Sequence, residues 1–271
     1  IQRFGTKSQR QRFLPRLSSG ESLGAFALSE PLAGSDAAGI RARAVPCEGG
    51  FRLHGTKVWV QNGEQADLLI VFAQTTVHRD GADLDRITGF IIDKRTDAGI
   101  IVGKSERKLG HRGSSTPAIY LEDVFVPSDR VLGSIGGGFK VAMETRQQGR
   151  LLAAAACIGT TCELLRLQVQ QATSRRQFGR VIGTLGMVKD QVARTAVDLY
   201  ASESALYLTT GLHDLAQRRS ELQLDTSIEA AFCKVLAAET LHAAAVSSMR
   251  LAGATGLLDS YPYERLLRDS Q

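Results

Sequence analysis

Apolar and polar positions change their spacing twice along the 271-residue chain. Residues 1 to about 20 read as the tail of a helix, with Phe13 and Leu14 apolar among Lys and Arg, and Ser18-Ser19-Gly20 breaks it. From about Leu23 to Gly133 the texture is that of strands. Phe51 to His54 follows the turn signal Gly49-Gly50, and Lys57-Val58-Trp59-Val60 follows Gly55. Leu68 to Ala73, Ile87 to Asp93 and Ala118 to Val126 are further short apolar or alternating runs, the last closed by Pro127. No helix-length pattern interrupts them, so an antiparallel barrel or sandwich is expected, because parallel strands need crossover helices.

After Gly136-Gly137-Gly138 the period becomes helical. Phe139 to about Thr173, Leu185 to Gln217 and Thr226 to about Leu251 form three long segments. The third opens on a predicted capping box, Thr226 with Glu229, and Ile228, Phe232, Val235 and Leu236 mark its expected buried stripe. Pro262 sits where a fourth helix would start, and Gln271 cuts that helix off. The pattern gives an α+β chain: a β domain over residues 23–134, then an incomplete helical bundle over 135–271.

Composition narrows this further. A hydrophobic content of 43% suffices for a packed interior. No uninterrupted apolar run approaches the roughly 20 residues of a membrane span, so no transmembrane segment is expected. The net charge is +5, but 33 basic residues are spread among 28 acids, and only Arg175, Arg176 and Arg180 form a tight group. Nucleic acid is therefore not an expected partner. Cys47, Cys157, Cys162 and Cys233 lack metal-site spacing and read as buried thiols in a reducing compartment; no metal is expected. The first residue is Ile1 and no signal-like segment opens the chain, which reads as a processed product or a portion of a longer one.

Four segments carry chemistry. Leu28-Ser29-Glu30-Pro31-Leu32-Ala33-Gly34-Ser35-Asp36 leads the β zone, and Lys57-Val58-Trp59-Val60-Gln61-Asn62-Gly63 follows. Arg175-Arg176-Gln177-Phe178-Gly179 joins the first two long helices, and Tyr261 to Asp269 stands at the end. Read alone, each has a plain meaning: a polar loop exposing the Ser29 hydroxyl, a core tryptophan, a solvated arginine beside a packing phenylalanine. Together, in this order and at these distances, they resemble the acyl-CoA dehydrogenase family. The wording around Ser35-Asp36-Ala37-Ala38 and Gly138 to Met143 looks most like its very-long-chain branch, which includes a member used in assembling respiratory complex I.

The resemblance implies an FAD-dependent α,β-dehydrogenation of long-chain fatty acyl-CoA. Leu28 and Ser29 would bond the flavin pyrimidine edge, and Ser35 and Arg150 would serve the acyl-CoA. Trp59 would lie against the isoalloxazine, with Val60 bonding the ring through its backbone. Gln61 departs from the small hydroxyl residue usual at its position; it either replaces that bond or crowds the site. Arg175 would grip the cofactor pyrophosphate and Phe178 would pack by the adenosine of a neighbouring subunit, so a homo-oligomer, dimer or higher, is implied. In Arg250-Leu251-Ala252-Gly253-Ala254, Arg250 replaces a usual glutamine and Ala254 a usual glycine, while Gly253 lets backbone approach the cofactor. The Arg250 charge either favours the pyrophosphate or distorts the loop.

The family reaction needs a carboxylate base over the substrate. In most members it follows the helix that starts at Tyr261-Pro262, beyond Gln271; in some branches it precedes the arginine matching Arg150, where Gly149 stands here. No catalytic residue is therefore assigned. Residues 1–22 would be the end of an N-terminal helical domain. The alternative is a catalytically degenerate relative serving as a scaffold in a mitochondrial, complex I related assembly. An electron-transferring flavoprotein or such a respiratory partner is implied, in the mitochondrial matrix or else a bacterial cytoplasm.

Overall fold

The computed structural model describes residues 1–79, 81–222 and 224–271. They form two compact units, one of Ile1–Lys108 with Arg112–Thr145, the other of Leu109–His111 with Arg146–Gln271.

In the first unit, helix α1 (Lys7–Ser18) begins inside the chain rather than being the end of a longer helix. Thr6 caps it: the Thr6 hydroxyl accepts from Gln9 N at 3.2 Å, and Gln9 Oε1 accepts from Thr6 N at 3.0 Å. Eight strands follow: β1 (Gly24–Ala27), β2 (Arg43–Cys47), β3 (Gly50–Lys57), β4 (Leu68–Arg79), β5 (Ala82–Asp93), β6 (Ile100–Val102), β7 (Ile119–Pro127) and β8 (Val131–Leu132). Their order is β6-β7-β3-β2-β4-β5-β8, with β1 beside β4. The path stays open, so the sheet is sandwich-like and not a closed barrel.

The expectation of purely antiparallel pairing is corrected at one place. β1 runs parallel to β4, from Gly24↔Leu68 to Ala27↔Val71, and β2 touches β4 in the same sense at Arg43↔Gln74. The crossover between β1 and β4 is supplied by a loop and the β2–β3 hairpin, where a helix was thought obligatory. β4 from Leu68 to Ala73 and β5 from Ile87 to Asp93 are largely buried on both faces, which explains their nearly unbroken apolar runs. Leu69, Val71, Phe90 and Ile92 pack in one cluster with Phe51, Leu53 and Val124; Leu68, Phe72, Ile87 and Ile91 pack in another with Phe13 and Val141.

Trp59 also departs from the strand that the sequence pattern predicts for it. β3 ends at Lys57, and Trp59 has φ 54°, outside the strand region. Just before it, Gly55 has φ 142°, and a Cβ there would lie 2.6 Å from the Ala42 methyl. Only glycine lets β3 pass this close to the start of β2.

The second unit is helical. α2 (Gly138–Ser174) begins in the first unit and continues in the second; α3 (Gly186–Arg218), α4 (Ser227–Ala252) and the short α5 (Tyr263–Asp269) follow. α2 and α3 are joined through a small hairpin, β9 (Arg176–Gln177) and β10 (Arg180–Val181). Leu151, Ala154, Ile158 and Leu199 pack on Ala230, Cys233 and Ala237, and Leu164 packs on Leu241, Ala244 and Ala245. The stripe expected to be buried on α4 is thereby overturned: Ile228, Phe232, Val235 and Leu236 are exposed, and the small residues are inside. Small side chains let helix axes approach, so the alanine face is the one that packs. The capping box at Thr226 also fails to form. Its hydroxyl is bonded instead to His213 Nδ1 at 3.1 Å, and Asp225 takes the Ser227 N–H at 2.9 Å.

Two helical stretches, Gly138–Ser174 and Ser227–Leu257, are long and apolar enough to cross a membrane by length and composition alone. Alanine raises their mean hydropathy without making an unbroken apolar run. Of the four cysteines only Cys233 is buried; Cys47 and Cys162 are exposed, Cys157 is half-buried, and all are free.

Candidate functional site

Two of the singled-out segments lie side by side in the first unit, and the pair that ties them was not foreseen from the sequence. Val58 N donates to Ser29 O at 2.9 Å, joining the exit of β1 to the exit of β3. Behind this bond Lys57 is wholly enclosed, its side chain 0% exposed. Its Nζ donates to Glu30 Oε1 at 2.7 Å and to Leu28 O at 3.1 Å. The Glu30 carboxylate also accepts from Arg41 N at 2.6 Å and Ala42 N at 3.0 Å. Burial pulls the Lys57 pKa down, and Glu30 pulls it back up by less. Strand parity carried a signal for this: Phe51, Leu53 and Lys57 share the inward face of β3, so the lysine needed a buried acceptor.

This tie leaves an open rim. Leu28 is buried, while Ser29 is half-buried, and neither its N–H nor its hydroxyl has a partner among the described residues. The Trp59 ring is 61% exposed. Gln61 is exposed, and its N–H is also unpartnered among the described residues. Val60 is engaged within the fold: its N–H donates to Pro117 O at 3.0 Å, its carbonyl accepts from Gly63 N at 2.9 Å, and its side chain is in the core. In this segment the Trp59 and Gln61 N–H groups are the ones without a partner among the described residues. Ser35 is exposed in the loop before Asp36.

The second unit carries the other residues. Arg175 is exposed at the base of the hairpin, fixed by its own backbone: its N–H donates to Gln171 O at 3.0 Å, and its carbonyl accepts from Ile182 N at 2.9 Å. At the tip, Phe178 (φ 54°) and Gly179 (φ 75°) make a two-residue turn of the kind that matches hairpin twist. Phe178 is 87% exposed, so it is not the packing residue of the plain reading. Arg150 and Arg250 are exposed and make no ion pair among the described residues. Gly253 caps α4 at φ 62°, ψ −140°, a conformation essentially reserved for glycine. Ala254 is exposed in the following turn. Gly149 faces open space, and Glu144 is held by Arg3 at 2.9 Å.

Known proteins match both units. Residues 25–124 match the middle domain of acyl-CoA dehydrogenases, and residues 136–271 their C-terminal domain. An acyl-CoA dehydrogenase of Bacillus subtilis is 36% identical over 268 residues, 99% of this chain and 68% of that protein. The chain belongs to the acyl-CoA dehydrogenase family. The very long-chain specific acyl-CoA dehydrogenase of Bos taurus mitochondria is 39% identical over 270 residues, 98% of this chain; the chain spans only 40% of that relative's length. Among solved structures, an acyl-CoA dehydrogenase of Bacillus anthracis complexed with FAD superposes with a TM-score of 0.90 at 32% identity, covering 98% of this chain and 47% of that one.

Proposed function

We propose that the whole protein is an FAD-dependent dehydrogenase of fatty acyl-CoA, with a long acyl chain as substrate. The observation that carries this reading is the open rim of the first unit. An exposed indole stands beside the unpartnered Ser29 and Gln61 donors, in a chain of this family. The donor set fits a flavin ring: Trp59 offers a flat apolar face, and Ser29 and Gln61 offer hydrogen bonds to its polar edge. FAD, when bound, supplies the hydride acceptor. Ser29, Trp59 and Gln61 orient the ring and exclude water from one face, and Arg175 offers a guanidinium for the pyrophosphate bound by a second copy. No residue described takes the role of base, since Gly149 has no side chain and Glu144 is paired with Arg3.

Purified whole protein is expected to be yellow, and anaerobic palmitoyl-CoA is expected to bleach it. A colourless protein that FAD cannot reconstitute sinks the oxidoreductase reading. Yellow protein that no acyl-CoA bleaches favours the scaffold reading, for which the side-chain-free Gly149 is the supporting observation. Electrons from a reduced protein would pass to an electron-transferring flavoprotein. Trp59→Ala should leave folding intact, because the ring is largely exposed, yet weaken FAD retention about tenfold, the loss of roughly 1.4 kcal/mol of ring contact. Equal FAD affinity in variant and parent would remove Trp59 from the site.

We also infer a homo-oligomer closed through the helical unit. α3 exposes Val197, Tyr200, Tyr207 and Leu208, and α4 exposes Ile228 and Phe232, the last 68% accessible. Large apolar side chains left exposed in such number on two helices are the stuff of association surfaces. Tyr207→Asp combined with Phe232→Asp is expected to halve the mass, or reduce it further, in light scattering. A mass equal to the parent's would place the interface elsewhere.

A further inference from the structure

We propose that the Lys57–Glu30 pair is a positioning device for the flavin-facing peptide, beyond its role in holding strands together. The inference rests on the FAD reading above. Lys57 Nζ donates to Leu28 O at 3.1 Å, and that carbonyl shares its amide with the Ser29 N–H. The same N–H has no partner among the described residues and lies on the open rim. A cation on the carbonyl oxygen draws electron density from the amide and makes its N–H a stronger donor. Glu30 fixes the ammonium there at 2.7 Å, and is itself fixed by the amides of Arg41 and Ala42.

A staple alone does not call for this chemistry. Two enclosed charges are a costly way to join strands, and apolar side chains of similar volume commonly do as well or better. What apolar side chains cannot do is put a positive charge on the Leu28 carbonyl. The reduced cofactor gathers negative charge along its pyrimidine edge, so a strengthened Ser29 donor favours the reduced form over the oxidised one. Lys57 and Glu30 touch no substrate in this scheme and act only through the Leu28–Ser29 peptide.

The test uses the whole protein with FAD and compares the parent with Lys57→Met/Glu30→Leu, in which both charges are removed together. Two quantities are read: thermal stability and the midpoint potential of the bound flavin. The double variant is expected to fold and bind FAD, with preference for the reduced over the oxidised cofactor reduced about tenfold, a potential about 30 mV more negative for a two-electron couple. Glu30→Gln, which leaves the lysine its charge and an acceptor, should retain the parent potential. Should the double variant fail to fold, Lys57→Gln, an uncharged donor toward Leu28 O, is measured in its place with the same expected shift. An unchanged potential in the uncharged variant, with stability alone altered, reduces the pair to a staple and overturns the proposal. Parent protein that takes up no FAD overturns the flavin reading first, and this proposal with it.

Discussion

Glu30→Ala is expected to lower the unfolding free energy by about 3–5 kcal/mol, read as a shift of the urea midpoint at unchanged slope. The size follows from what the substitution strands. Lys57 keeps its charge in a fully enclosed place and loses its 2.7 Å partner. The amides of Arg41 and Ala42 lose their acceptor as well, and each buried unsatisfied donor costs about 1–3 kcal/mol. Relaxation cannot easily rescue them, because Gly55 already brings β3 against Ala42 without a side chain between them. A loss under about 1 kcal/mol would mean that water reaches Lys57, and the enclosed description of this corner would be wrong.

Asp97→Ala should be comparably severe, about 3–5 kcal/mol by the same measurement. Arg130 is buried and gives Nη1 to both Asp97 oxygens, at 2.7 and 2.6 Å. Its backbone neighbours are held in turn: Gln9 Nε2 donates to Asp129 O at 2.7 Å and to Val131 O at 2.8 Å, anchoring α1 to the segment before β8. Removal of the carboxylate leaves a guanidinium with little room to reach solvent. Asp97→Asn, which keeps an acceptor oxygen, is expected to recover part of the loss; equal losses in both variants would point to backbone disruption instead.

The helices were legible from the sequence because glycine and proline punctuate them and their apolar period is long. α2, α3 and α4 begin and end within a few residues of the expected places. The buried face of α4 was not legible, because size was used as the guide to burial. Phe232 outranks Ala237 on any hydrophobic scale, yet the inward face is chosen by how closely α2, α3 and α4 can approach one another. The parallel pairing of β1 was not legible for a related reason: four residues, Gly24 to Ala27, carry no mark of parallel or antiparallel pairing. At the site, the motif residues were found by resemblance, whereas Lys57 and Glu30 were quoted within the motifs and passed over as ordinary charges. The positive φ of Trp59 could not be read at all, since tryptophan usually avoids it.

The bare aromatic and aliphatic faces of α3 and α4 have a thermal corollary. Attraction between such faces draws its strength from releasing ordered water, and that gain fades on chilling. The homo-oligomer proposed above, closed over Tyr207 and Phe232, is therefore expected to loosen in the cold room and to tighten on modest warming or with added sulfate. On that proposal ice, the usual refuge for a purified protein, is the wrong place to keep its copies together.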